Sequence, residues 1–196
     1  MGRKPLKDQR RKEILEALYR CLLEKSYSET SIKDIGRKAG LNPAMLHYYF
    51  ESKEDILINL VDSIYEEHRR AFEKRLRELQ EMGLEARGLV REILRYFNEN
   101  VTCDKKLQKV FFEIWEVALH NRNVSERVKR IYREWIDGLS RIFNETIGPC
   151  PDADNLALAA VAFQEGVGIF SVFFRFRRDY TRALLEGFQE RILEML

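Results

Sequence analysis

Apolar positions recur at helical spacing along almost the whole chain. Between residues 10 and 25, Ile14, Leu18, Cys21 and Leu22 form one stripe with Leu15 beside it, while Arg11, Lys12, Glu16 and Glu24 face away. That pattern predicts a first amphipathic helix. Thr30 or Ser31 is placed to cap a short second helix with Ile32, Ile35 and Ala39 on its inner side. Gly40 ends it, because a chain that reverses there needs a residue tolerant of positive φ. Asn42-Pro43 restarts a helix at once: Asn is a strong N-cap, and Pro at the first helical position gives up no hydrogen bond. Ser52-Lys-Glu-Asp55 is another start signal, with two acids in the first turn of a long helix through Ile56, Leu60, Ile64, Phe72 and Leu79. Beyond Gly83 and Gly88 the period resumes over Leu89–Phe97, Leu107–Ala118 and Val128–Ile142, and Gly148-Pro-Cys-Pro151 stops it. Leu156–Phe174, apolar on nearly every face, and Leu184–Met195 supply two last helices. The expectation is an all-α chain of about nine helices: an N-terminal three-helix domain over 1–52, a connecting helix over 53–82 and a C-terminal helical domain over 83–196.

Composition agrees. Of 196 residues 45% are hydrophobic and 34% charged, with only 4 Pro and 10 Gly, which suits long amphipathic helices. The net charge of +2 hides an asymmetry: residues 1–50 hold 11 Lys and Arg against 6 Asp and Glu, whereas 51–196 hold 23 against 26. Much of that excess is Arg3, Lys4, Lys7, Arg10, Arg11 and Lys12 against a single Asp8, a basic arm suited to phosphates or simply a solvated terminus. Cys21, Cys103 and Cys150 are widely spaced and contain no CxxC, so neither a disulfide framework nor a metal site is implied, and a reducing cytoplasm fits. The charged start lacks the apolar run of a secretory signal. Leu156–Phe174 approaches membrane-spanning length, but Gln164 and Glu165 interrupt it, and a carboxylate at bilayer depth costs about 2.5 kcal/mol or more. No membrane partner is expected. The chain also lacks a phosphate-cradling glycine loop, an HExxH motif and a nucleophile elbow, and its histidines at 47, 68 and 120 stand apart, so neither an enzyme nor a cofactor is expected.

Two short helices joined by a glycine-containing turn form a helix-turn-helix pattern, whose second helix enters the major groove of double-stranded DNA. At 100° per residue, Leu46, Tyr49 and Phe50 cluster on the inner side of that helix, and Ala44, His47 and Tyr48 on the outer. The outer side begins small, so the backbone can approach base edges, and then offers an imidazole and a phenol.

The run from Thr30 to Leu57, with I-x-x-x-A-G followed by L-x-Y-Y-F-x-S-K-E, resembles the TetR family of transcription regulators almost position by position over about a quarter of the chain. The resemblance implies that Thr30 and Ser31 touch phosphate, that Pro43, Ala44, Met45 and His47 face bases, that Tyr48 and Tyr49 meet the DNA backbone and that Lys53 meets a phosphate. For Tyr49 a core role and for Lys53 a solvated charge are the alternatives. Many relatives carry another residue where His47 stands, so its base preference is not inherited. Gly2-Arg3-Lys4-Pro5 would add minor-groove contacts through Arg3 and Lys4.

The resemblance also implies a C-terminal domain that binds a small molecule and dimerises through its last two helices, giving a two-fold homodimer that matches a palindromic operator. The expected interface residues are Val161, Gly166, Gly168, Phe173, Leu184 and Phe188. The segment Phe111–His120 with Ser125–Trp135 looks more loosely like the subset of the family that includes choline-responsive repressors. Phe111, Phe112, Trp115 and Trp135 are therefore candidates for an aromatic pocket, or else core. Glu165, a carboxylate amid Leu158, Val161, Ile169 and Val172, must find a partner or shift its pKa, either on an apolar or cationic effector or across the dimer interface. Glu113 and Glu116 are expected to face solvent. The expected function is a ligand-responsive DNA-binding regulator, a repressor released from its operator by a small molecule; the alternative is a helical binding or assembly protein without sequence-specific recognition.

Overall fold

A computed structural model describes residues 3–196, with side chains from residue 6 onward. Among the described residues it holds nine α-helices and no strand, as the periodicity predicts: α1 (Arg3–Leu22), α2 (Ile32–Ala39), α3 (Pro43–Tyr49), α4 (Lys53–Glu81), α5 (Ala86–Phe97), α6 (Lys105–His120), α7 (Arg122–Ile147), α8 (Ala153–Phe173) and α9 (Arg178–Met195). A π-helical turn, Asn98–Thr102, follows α5. Helix α1 starts well before residue 10, because apolar spacing marks only the part of a helix that packs; Pro5 falls in the first turn, where its missing N–H leaves no bond unmade. The side chains of Arg3 and Lys4, the arm's candidate DNA contacts, lie outside the described residues.

The chain divides into two compact units. The first comprises Met1–Glu67 with Lys109–Lys129, and the second His68–Gln108 with Arg130–Leu196. Helices α4, α6 and α7 contribute residues to both. In the first unit Ile14, Leu18, Cys21 and Leu22, the stripe read from sequence, are fully buried beside Ile35, Leu46, Ile56 and Leu57. At about 1.5–3 kcal/mol per buried side chain, this stripe holds the three short helices in register. The second unit centres on Leu79, Ile93, Leu94, Phe143, Ala157 and Leu185.

Helix α8 has a mean hydropathy of 1.8 over its most apolar window, long and apolar enough to cross a membrane, yet half of that window is buried inside the chain. Its faces differ. Leu156, Ala160, Gln164, Glu165, Gly168 and Ser171 turn inward, whereas Leu158, Ala159, Ala162, Phe170 and Phe173 are exposed.

Candidate functional site

The turn between α2 and α3 is built from caps. Ser31 Oγ accepts the Asp34 N–H at 3.2 Å, and Asp34 Oδ2 accepts the Ser31 N–H at 3.0 Å, a reciprocal capping box. Lys25, at 2.7 Å, and Ser31 hold the Asp34 carboxyl well below the usual carboxylate range. Gly40 closes α2 at φ 66°, in the left-handed region. Asn42 Oδ1 then accepts the Ala44 N–H at 3.0 Å, which starts α3 with Pro43 in its first turn. Gly36, which sequence reasoning did not single out, lets the two helices close: the Leu41 N–H reaches Gly36 O at 2.9 Å, and a Cβ at 36 would stand 2.9 Å from Leu41 O.

Helix α3 is sided as expected. Leu46 and Phe50 are buried, Tyr49 and Pro43 are half-buried, and Ala44, Met45, His47 and Tyr48 are exposed, Tyr48 by 71%. The C-terminal end of α3 is held by Arg11, whose guanidinium donates to Tyr49 O and, at 2.8 Å, to Asn59 Oδ1, and lies 4.1 Å from the centre of the Phe50 ring. Ser31 is exposed at the start of α2.

Thr30 and Lys53 depart from the expected phosphate contacts. Thr30 is 1% exposed and its hydroxyl donates to Ser26 O at 2.8 Å. The Lys53 ammonium donates to Tyr27 O at 2.8 Å and Thr30 O at 2.9 Å and stands 4.0 Å from the Tyr27 ring centre, which locks the loop before α2. Burial, with the Lys25 charge, lowers its pKa. Both side chains turn inward because this loop has carbonyls and an aromatic face to satisfy.

Glu113 also departs from expectation. It is buried, and its Oε2 accepts the Tyr27 N–H at 2.7 Å. Lys109 donates to Leu23 O at 2.6 Å, Asn121 and Asn123 donate to the Glu54 carboxylate at 2.7 and 2.8 Å, and Arg127 pairs with Asp62. The 109–129 segment thus braces the loop before α2 and the start of α4. Phe111, Phe112 and Trp115 belong to this first unit, and Phe112 is 42% exposed.

The second unit holds a different arrangement. Glu165 is 7% exposed; the Tyr132 hydroxyl donates to its Oε1 at 2.8 Å, and its Oε2 has no partner. Burial pushes the carboxyl up to about 7, against the opposing pull of the Tyr132 bond. Trp135, one turn after Tyr132 on α7, stacks 6.0 Å from the Tyr132 ring and 5.3 Å from Phe97, which meets Phe72 at 4.7 Å. The Trp135 Nε1–H and Gln108 Oε1 are likewise buried without a partner. Sequence reasoning reached Trp135 and Glu165 as site residues; Tyr132 and Phe97 fell within its helical stretches without a role, and Gln108 was missed.

The expected dimer residues split. Val161 and Gly168 are buried within the chain, Gly168 against the Gln108 carboxamide, and so offer no surface. The Phe188 ring stacks 3.9 Å from Phe163 and is half-buried, as is Leu184. Gly166 has open space beside it, and Phe173 is exposed.

A capped helix-turn-helix with an exposed reading face, on a chain whose second unit encloses unsatisfied polar groups, defines a DNA-binding regulator that responds to a ligand. Residues 14–60 match the bacterial regulatory proteins of the tetR family, and residues 86–194 match the BetI-type transcriptional repressor C-terminal domain. The chain belongs to the TetR family, with a BetI-type C-terminal half. It is 25% identical over 164 residues to the HTH-type transcriptional regulator BetI of Rhizobium meliloti, covering 82% of this chain and 76% of that one. Its fold superposes on a TetR transcription regulator from Haloarcula marismortui with a TM-score of 0.80 and 18% identity, covering 96% and 98% of the two chains. A protein from Saccharomonospora viridis solved in complex with choline gives 0.76 and 25%, covering 93% and 96%.

Proposed function

We propose that the chain is a cytoplasmic homodimeric repressor, without enzymatic activity, that holds a palindromic operator through its two α3 helices and releases it when a small organic cation binds at Glu165. The observation that carries this reading is the Glu165 carboxylate, buried and bonded to Tyr132, whose ring stacks on Trp135, with one oxygen unpaired. An aromatic surround with a carboxylate suits an organic ammonium. The BetI-type match and the choline complex of the S. viridis protein support the same class of effector. Because Glu165 turns into its own chain and bonds Tyr132, this reading favours a ligand role over a contact across a dimer interface. The buried site requires an effector to displace the Tyr132 hydroxyl from the carboxylate.

Dimerisation is supported by the outward side of α8, where exposed Leu158, Ala159, Ala162, Phe170 and Phe173 and half-buried Gly166 recur along the helix. Small residues in the middle permit close approach, and aromatic residues at one end supply buried area. With α9 and the partner's copies this makes a four-helix interface. In this reading residues 1–52 form the DNA-binding domain, with Ser31, Pro43, Ala44, Met45, His47, Tyr48 and the Arg3–Lys4 arm against DNA. Residues 53–82 connect it to a sensing and dimerisation domain over 83–196. A ligand-driven shift of α4 changes the spacing of the two reading helices and weakens binding.

Selection of DNA by the purified full chain from a random pool tests the first half. An inverted repeat with half-sites one helical turn apart is expected, and failure to converge on any motif overturns sequence-specific recognition. Release of that DNA by organic cations from wild type but not from Glu165→Gln tests the second. An equal response in both proteins removes Glu165 from the effector site.

A further inference from the structure

Most of the polar interior of the second unit is paired. The Gln164 side-chain amide donates to Asn98 Oδ1 at 2.8 Å, Asn98 Nδ2 donates to Gln189 Oε1 at 3.1 Å, and Gln189 Nε2 donates to Arg91 O. Against that background the three unpaired atoms stand out, two along the buried face of α8 and one on α7. Glu165 and Gly168 are one turn apart on the buried face of α8, about 4.5 Å along the axis. The Gln108 carboxamide occupies the space that a Cβ at 168 would fill, so Gly168 is what admits it. Gln108 is 1% exposed; its Nε2 donates to Val101 O at 3.2 Å, and its Oε1 accepts nothing. Two idle acceptors, Glu165 Oε2 and Gln108 Oε1, therefore lie along one strip of α8. The idle donor, Trp135 Nε1–H, sits one turn along α7 from the tyrosine that bonds Glu165.

A quaternary ammonium answers the charge of Glu165 but donates no hydrogen, so it leaves both acceptors unbonded. An ammonium carrying N–H groups answers the charge and the acceptors together, and an oxygen on the same small molecule answers the indole. Resting on the reading of Glu165 as the effector site, we propose that the effector is a compact primary or secondary amine bearing a hydroxyl or carbonyl oxygen, with Gln108 as the residue that selects it over its quaternary analogue. A site built around a buried acceptor discriminates strongly against a ligand that lacks the matching donor.

The series ethanolamine, N-methylethanolamine, N,N-dimethylethanolamine and choline keeps the oxygen and the charge while removing N–H donors one at a time. Calorimetric titration of the full-length protein with each should show affinity falling along the series, with choline at least about tenfold weaker than ethanolamine. Gln108→Met, of similar length and without the carbonyl, should weaken ethanolamine more than choline and so narrow that gap. Choline binding as tightly as ethanolamine, or tighter, with affinity still lost in Glu165→Gln, overturns the amine inference and leaves the effector site standing. Binding that Glu165→Gln does not weaken, or no binding by any of the four, overturns the site and the inference with it. Circular dichroism melts of both variants confirm that the protein measured is folded.

Discussion

Around α3, the polar groups of the first unit meet partners within that unit. Arg11 holds Tyr49 O and Asn59, Lys53 holds two loop carbonyls, and Glu113 holds the Tyr27 N–H. In the second unit three buried polar atoms, on Gln108, Trp135 and Glu165, meet none. The contrast fits what each unit is proposed to bind. A helix that reads DNA works from the surface, so the chain must satisfy everything beneath it and present a rigid face. A site that takes a molecule into the interior leaves hydrogen-bonding capacity for that molecule, at a cost to the empty protein.

Forcing the reading head open is the most severe way to break this contrast. Gly36→Val places a branched side chain against Leu41 O, so operator affinity should fall at least about 100-fold and the first unit should lose about 1–3 kcal/mol or more. A fluorescence-anisotropy titration that shows wild-type affinity would separate DNA reading from the closeness of α2 and α3.

The second unit answers to pH instead. The Glu165 carboxyl keeps its proton up to about 7 in the folded chain, whereas an unfolded chain loses it near the ordinary value of 4.5. The folded state binds more protons in between, so stability of the effector-free protein should fall as pH rises from about 4.5 to 7, by on the order of 2–3 kcal/mol. Cation binding should strengthen over the same window, with proton release, and level off above it. Thermal melts of wild type and Glu165→Gln at several pH values decide the matter: parallel pH profiles would show that this carboxyl is not the titrating group.

His47→Ala sharpens the comparison from the surface side. The side chain is exposed, so stability should stay unchanged while operator affinity drops by about 1–3 kcal/mol and base preference relaxes at one position per half-site. A uniform loss across all sequences would make His47 a backbone contact. Glu113→Leu tests the brace, because it strands the Tyr27 N–H at a cost of about 1–2 kcal/mol, whereas Glu113→Gln keeps an acceptor and should cost less. Amide exchange at Tyr27 reads the difference, and equal protection in both variants would dismiss the contact. The smallest effect belongs to Lys53→Met. Its ammonium is already engaged by Tyr27 and Thr30, so the slope of log affinity against log salt should change by less than about one phosphate's worth.

What could be read from sequence was local. Ser31, Gly40, Asn42-Pro43 and Ser52 are signals spanning a few residues, and they set the helix-turn-helix and the start of α4 where expected. The inner stripe of α1 and the sidedness of α3 followed from angle alone. Long-range partners were not legible. Glu113 looked solvated on its own helix because the N–H it accepts is 86 residues away. Lys53 looked available to phosphate because nothing in the sequence shows its ammonium meeting the carbonyls of Tyr27 and Thr30, 26 and 23 residues away. Helix α8 is apolar on both sides, so hydropathy could not tell that Val161 and Gly168 turn in while Leu158 and Phe170 turn out. The empty acceptor on Gln108 depends on Gly168, 60 positions further along, and carries no signal of its own.

On α3 the residues that shape the helix and those proposed to read DNA overlap only at Pro43. Leu46, Phe50 and the Asn42 cap hold the shape, while Ala44, Met45, His47 and Tyr48 project outward with few structural duties. A lineage carrying this helix can exchange those four positions with little loss of stability, so its target sites are free to drift far faster than its architecture. For the same reason the four make a compact library, in which nearly every member should remain folded and selection acts on recognition alone.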